Sequence, residues 1–178
     1  MVNQLLVNPV LQFEDIDWIS WTPDQEATLL YVVRDGAILL IRKRRGLGAG
    51  KVNAPGGRID AGESPLAAAV REFVEELAVH PTGVRKCGEI LFHLLDGISI
   101  RIHVFKGDGC IGEPRVTSEA IPFWVPVDNA PYDQMWADDR YWLPLLLQGK
   151  SFAARTLFAG DRLLGHEIEV MPPGFTWD

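Results

Sequence analysis

A chain of 178 residues is long enough for one domain with a substantial core and short for two. Its hydrophobic content of 47% and charged content of 23% are ordinary for a globular protein. A net charge of −7 argues against general DNA or RNA binding, and no apolar run reaches the ~18 residues of a membrane span. The N-terminus lacks the basic start and apolar core of a signal peptide. Two cysteines, Cys87 and Cys110, lack CxxC spacing, so both are expected to be reduced thiols in a cytoplasmic protein.

Residues 1–26 read as an N-terminal extension, an ordered arm in which Trp18, Ile19 and Trp21 cover the core or meet a partner. Residues 27–170 form the predicted domain and 171–178 a C-terminal tail. Thr28–Val33 and Ala37–Arg42 are β-like runs joined by Asp35-Gly36, a good hairpin turn. The densest basic cluster, Arg42 to Arg45, follows. Strand alternation lets only half of it face one way, as a solvated strand end or toward a triphosphate. Gly46, Gly48 and Gly50 make a flexible loop without a P-loop ending. Asn53 comes next, either satisfying loop backbone or reading a base edge with its amide.

The segment GGRIDAGESPLAAAVREFVEELAV, from Gly56 to Val79, reads as a loop entering a helix. Ser64 is a good N-cap and Pro65 suits the first helical position. Leu66, Val70, Phe73 and Leu77 form an apolar stripe, and Pro81 is read as the stop. Glu72 and Glu76 share a face with Glu75 beside it, ~100–180° from that stripe. Carboxylates so close repel one another unless a cation neutralises them, and all-oxygen donors suit a hard ion such as Mg²⁺. A bare E-x-x-E-E also fits a solvated acidic face.

Val84–Leu95 and Ile98–Phe105 read as strands around Asp96-Gly97, with His93 and His103 as sheet-face or core histidines. Residues 106–118 read as a glycine-rich loop and Glu119 as an exposed strand start before IPFWV. In MWADDRYWLPLLL, Met135 to Leu147, the aspartates Asp138 and Asp139 precede a helical run, where capping of the helix explains them without a ligand. Phe152–Phe158 and Arg162–Val170 look like a hairpin.

Gly57, Glu63, Arg71-Glu72-Phe73 and Glu75-Glu76 together match a longer pattern. It resembles the Nudix hydrolase signature: a glycine, five residues, a glutamate, seven residues, then R-E-aliphatic-x-E-E-x-G-aliphatic. Phe73 stands for the aliphatic and Ala78 for the final glycine. The resemblance implies an α/β fold, the Nudix α/β/α sandwich with a mixed β-sheet. With R-G-L-G-A-G-K-V-N at Arg45 to Asn53, H-V-F at His103 to Phe105 and the Met135 to Gln148 block, the chain is similar to a narrower branch. These are the oxidised-purine nucleoside triphosphate diphosphatases of the MutT type, which hydrolyse 8-oxo-dGTP and 2-hydroxy-dATP.

That resemblance implies a Mg²⁺-dependent reaction, with Mn²⁺ as an alternative ion, giving a nucleoside monophosphate and pyrophosphate. It assigns the metal to Glu72, Glu75, Glu76, Glu119 and the Gly56 carbonyl, with Glu119 as ligand or base. Arg71 holds the glutamates and Glu63 braces the loop. Trp136 stacks on the purine, Asp138 and Asp139 bind its edge, Asn53 contacts the base, and Thr28, Lys43 and Gly57 complete the site. Two adjacent carboxyls near an apolar ring repel, so one is expected to keep its proton and serve varied base edges. Leu47, Val52 and Ala54-Pro55 depart from the branch, so the pocket wall is expected to differ in shape. The implied partner is a purine nucleoside triphosphate, with no nucleic acid and no membrane, acted on by a monomer or homodimer. Two other readings stand: a Nudix enzyme for ADP-ribose or dinucleoside polyphosphates, and a non-catalytic nucleotide sensor.

Overall fold

The computed structural model describes residues 11–95 and 97–177. The first ten residues of the arm, Asp96 of the turn and Asp178 of the tail lie outside the described residues. The turn at Asp35 (φ 51°) and Gly36 (φ 74°) has positive φ at both central positions, the form that matches strand twist. It joins β1 (Gln25–Arg34) to β2 (Ala37–Lys43), which pair only from Val32↔Leu39 to Arg34↔Ala37. The two strands then part. Beyond the split, β2 pairs with β3 (Val52–Asn53), and the loop of residues 53–59 fills the gap. Its carbonyls at Gly57 and Pro55 accept from Thr28 N (2.8 Å) and Leu30 N (2.9 Å) of β1.

The helix α1 (Pro65–Leu77) follows, then β4 (His80–Thr82), β5 (Arg85–Leu94), β6 (Ser99–Gly107), β7 (Gly109–Ile111) and β8 (Ala120–Pro126). The chain closes with α2 (Asp139–Leu147), β9 (Phe152–Ala159) and β10 (Arg162–Val170). The main sheet runs β10-β9-β5-β6-β1-β2-β3, with β8 on β2. The β1/β6 and β5/β9 pairs are parallel and the other pairs antiparallel, so the sheet is mixed. Residues 106–118 are not wholly loop: β7 pairs with β4 as a second, two-stranded sheet. Strands of three residues carry too little alternation to be read in sequence.

Alternation divides the core between the two faces. Leu30, Val32, Leu39 and Ile41 pack with Ala69, Phe73 and Leu77 of α1. Tyr31, Ile38 and Leu40 pack on the other face with Trp142, Leu143 and Leu146 of α2. This is the α/β/α sandwich the sequence implied. Burying a side chain such as Phe73 or Trp142 contributes ~1.5–3 kcal/mol each.

The α1 termini follow their cap chemistry, with one correction. Ser64 accepts from Ala67 N (3.2 Å), but Ala78, not Pro81, ends the helix. Ala78 takes the left-handed conformation (φ 57°, ψ 29°), donating to Val74 O at 2.8 Å. The apolar stripe also shifts. Leu66 is exposed, whereas Ala69, Phe73, Glu76 and Leu77 are buried. At 100° per residue Glu76 lies about 20° from Ala69, so it faces the core instead of pointing away from it.

The arm packs across the sheet. Phe13 lies against Gly165, Trp18 meets Phe13 and Trp21, and the Trp21 indole N–H donates to His93 Nδ1 at 3.2 Å. Ile19 projects into solvent.

Candidate active site

Where β1 and β2 part, a cavity of about 450 Å³ opens. Glu72, Glu76 and Glu119 line one end, with Lys43, Gly56 and Gly57. Trp136, Asp138, Asp139 and Asn53 line it as well, with Thr28 among the lining residues. Arg71 and Glu75 are outside its lining.

The glutamate end is built on close approach. A Cβ at Gly56 would lie 2.0 Å from the Thr28 carbonyl oxygen, colliding with β1 backbone. A Cβ at Gly57 would lie 2.4 Å from the Glu72 carboxyl carbon. Only glycines let the loop sit between strand and helix. Gly56 N–H donates to Glu76 Oε2 (2.9 Å), while Lys43 Nζ stands 3.5 Å from Glu76 Oε1 and 3.4 Å from the Gly56 carbonyl.

These carboxylates stand among bases: Arg71, expected to hold the glutamates, is joined by Lys43 and Arg45. Arg71 donates to Glu63 (2.9 Å), Glu72 (2.7 Å), Glu75 (3.3 Å) and the Arg58 carbonyl (3.1 Å). Arg45 pairs with Glu119. Glu63 also accepts from Asp60 N, closing the loop before the helix. The Arg71 guanidinium is held even more firmly protonated by Glu63 and Glu72, and the Glu63 carboxyl sits below its usual range chiefly through Arg71. Burial pushes Glu76 up to about 7, against the pull of Lys43 and the Gly56 N–H.

Among the described residues, no three His, Cys, Asp or Glu side chains converge as a ready metal cluster. The donors nevertheless fit a hard cation. Carboxylates and a carbonyl line this end, and the Lys43 ammonium stands between Glu76 and the Gly56 carbonyl as a cation does. Glu72, Glu76, Glu119 and the Gly56 carbonyl are the groups that could hold a divalent ion here, with exposed Glu75 beside them.

The other end differs in kind. Trp136 is 9% exposed, its ring meeting Phe92 (5.2 Å, 80°) and Phe158 (5.3 Å, 82°) edge-on. Asp138 and Asp139 are buried. Asp138 stands at the N-cap of α2 yet makes no capping bond; it accepts from the Trp142 indole N–H at 3.1 Å. The capping explanation is thereby set aside. Asp139 Oδ2 accepts from Trp136 N at 3.2 Å. Burial pushes Asp138 up to about 6, and burial plus the charge of Asp138 hold Asp139 well above the usual carboxylate range. Asn53 Oδ1 accepts from Tyr31 Oη (3.3 Å) and Ala54 N (2.8 Å). Asp138 Oδ1 and Thr28 Oγ1 are buried without a hydrogen-bond partner. Orphaned polar atoms facing a cavity are where a ligand's polar groups fit.

Sequence reasoning missed the apolar wall of Ile90, Phe92, Ile100 and Ile102 on β5 and β6. Their alternation was visible, but nothing separates a cavity-facing residue from a core one until the strands are paired. Leu47 and Ala54 line the cavity, whereas Val52 is buried in the core. His103 lies between Glu26 (3.1 Å) and Glu89 (3.6 Å), on the sheet.

A hydrolase built on a glycine loop, a glutamate helix and a mixed sheet is a definite class, and sequence comparison agrees: the NUDIX domain family matches residues 23–146, so the chain belongs to the Nudix hydrolases, enzymes acting on phosphoric anhydrides that generally need a divalent metal. It is 40% identical over 144 residues to an oxidized purine nucleoside triphosphate hydrolase of Danio rerio, covering 80% of this chain and 92% of that protein. The protein of the same description from Mus musculus is 35% identical, covering 79% and 92%. A crystal structure of a MutT protein from Bacillus halodurans superposes with a TM-score of 0.72 at 25% identity, over 82% of this chain and 97% of that one. Among the described residues no helix is long and apolar enough to cross a membrane.

Proposed function

We propose that this protein is a Mg²⁺-dependent nucleoside triphosphate diphosphatase acting on oxidised purine nucleotides. Water attacks phosphorus, the bond to the departing phosphate oxygen breaks, and a nucleoside monophosphate and pyrophosphate result. The observation that carries the reading is one cavity lined by two unlike sets of groups. Glu72, Glu76 and Glu119 suit a cation and phosphates, while Trp136, Asp138 and Asp139 suit a planar, polar-edged ring. The relatives' description as oxidized purine nucleoside triphosphate hydrolases supports the substrate class.

Glu72, Glu76, Glu119 and the Gly56 carbonyl would hold a magnesium ion, which would supply charge neutralisation and polarisation of the phosphoryl oxygens. The chain's own residues do the rest. Arg71 fixes the rotamers of Glu72 and Glu75. Lys43 gives up its contact with Glu76 and meets phosphate charge instead. As a ligand Glu76 would be ionised, the cation replacing Lys43 as its counter-charge and overriding the burial that raises the carboxyl when no ion is near. At the other end a protonated and an ionised carboxyl from the Asp138/Asp139 pair offer one donor and several acceptors. Two edge patterns, those of 8-oxoguanine and 2-hydroxyadenine, can then be met by moving one proton. Both cysteines are free, which supports a cytoplasmic setting.

The test is a steady-state comparison of 8-oxo-dGTP, 2-hydroxy-dATP, dGTP and dATP with Mg²⁺, following pyrophosphate. The expected result is a higher kcat/KM for the oxidised pair. Faster turnover of ADP-ribose or a dinucleoside polyphosphate overturns the substrate class, and no Mg²⁺-dependent turnover of any nucleotide overturns the enzyme reading.

A further inference from the structure

Trp136 has a charged pair at its back. Lys51 Nζ stands 4.9 Å from the centroid of the Trp136 ring and 3.1 Å from Asp161 Oδ2. Trp136 lines the cavity and Lys51 does not, so the ammonium meets the indole from outside. The Lys51 side chain is 21% exposed and that of Asp161 76%. Lys51 ends the glycine loop just before β3, and Asp161 lies in the β9–β10 turn, so the pair ties together elements distant in sequence. The same hairpin delivers Phe158 to the Trp136 edge. The same loop brings Gly48 so close that a Cβ there would lie 3.1 Å from the indole nitrogen. A cation over an indole face is held by the ring quadrupole, more strongly when partly desolvated. Lysine is flexible, so Asp161 supplies the second contact that fixes it.

We propose that Lys51, held by Asp161, is a positioning residue of the base site: it fixes the plane of the Trp136 ring on which a purine stacks, and so sets how well purines are told apart. This deepens the reading above, which makes Trp136 the stacking partner. Stacking requires near-parallel rings, so a tilt of the indole by ~10–20° weakens it. The Lys51 charge also draws Asp139 downward, against burial and the charge of Asp138. The other titratable groups facing the aspartate pair are Tyr31 from β1 and Tyr132 from the turn before α2, both held neutral by burial and by the aspartates.

The experiment compares wild type, Lys51→Met, Lys51→Arg and Asp161→Asn on an oxidised and an unmodified purine triphosphate across pH. Lys51→Met is expected to raise KM for the oxidised substrate about three- to tenfold, with a smaller fall in kcat. It is also expected to move both limbs of the kcat/KM pH profile upward, because a positive charge beside Asp139 is gone. Lys51→Arg should restore both. Asp161→Asn, a change at an exposed side chain, should reproduce part of the KM rise. Unchanged KM and pH limbs in Lys51→Met overturn the proposal. So does a rise in KM that Lys51→Arg fails to restore at unaltered melting temperature. If the wild type prefers another nucleotide, the substrate reading falls and Lys51 is judged on that nucleotide. If it turns over none, the indole N–H resonance of Trp136, assigned with Trp136→Phe, decides: a shift in Lys51→Met sustains the contact, and an identical position refutes it.

Discussion

The glutamate end and the aspartate end of one cavity surround their acids in opposite ways. At the first, the acids are paired with bases: Arg71 serves Glu63, Glu72 and Glu75, Lys43 serves Glu76, and Arg45 serves Glu119. At the second, Asp138 and Asp139 lie together in an aromatic pocket, with indole and backbone N–H groups as their hydrogen-bond partners. The first arrangement sets a base beside each carboxylate for a cation to displace, although burial still raises Glu76 to about 7. The second raises both carboxyls and makes them readers of hydrogen-bond pattern. The difference teaches that proximity of carboxylates alone does not define a role; what surrounds them does.

The largest effect that could break this contrast is at Glu76. Glu76→Gln keeps the volume and removes the charge, and is expected to lower kcat ~10²–10⁴-fold on every nucleotide while thermal unfolding stays cooperative. Near-normal turnover would remove Glu76 from the chemistry. Asp138→Asn should act differently, raising KM for oxidised purines ~10–100-fold and narrowing their advantage over dGTP and dATP. A uniform loss of kcat, measured on the same panel, would erase the distinction between the ends.

A pH titration of stability sharpens the contrast without any ligand. The folded-state value of Asp138 is raised to about 6 from an ordinary 3.8. Between these values the folded chain binds more protons than the unfolded one. Its contribution is therefore complete below pH ~3.8 and is lost as pH rises through ~6, a loss on the order of 3 kcal/mol. Urea unfolding of wild type and Asp138→Asn should show a steeper decline for wild type across that window; equal slopes would deny the raised carboxyl.

The helix exit gives the smallest expected change. Ala78 occupies a left-handed position at the end of the glutamate helix. Ala78→Gly is expected to stabilise the protein by ~1 kcal/mol, raising Tm by ~2–4 °C with turnover unaltered. A fall in Tm would mean that the Ala78 methyl packs more favourably than its backbone strains.

Much of the glutamate end was legible because it is local. Gly57, Glu63, Arg71, Glu72 and Glu76 lie within one loop and one helix, where spacing alone brings them together. The turn at Asp35-Gly36 and the Ser64-Pro65 start were legible for the same reason. Glu76 was misplaced because the stripe was anchored on Leu66, although Ala69 and Phe73 mark the buried side. Lys43 and Arg45 escaped as partners because β2 reaches the helix only through pairing with the loop and strands around it. Asp138 and Asp139 were visible as residues, but Tyr31 of β1 is brought to them only by the fold. The parallel β1/β6 pairing, which sets the sheet order, has no local sequence signal at all.

The orientation of the nucleotide is the point on which the rest turns. A crystal structure with Mg²⁺ and a non-hydrolysable purine triphosphate reads it directly. The account predicts phosphates and metal at Glu72, Glu76 and Glu119, with the purine against Trp136 and its edge on Asp138 and Asp139. A nucleotide lying the other way round, or phosphates bound away from α1, would contradict it.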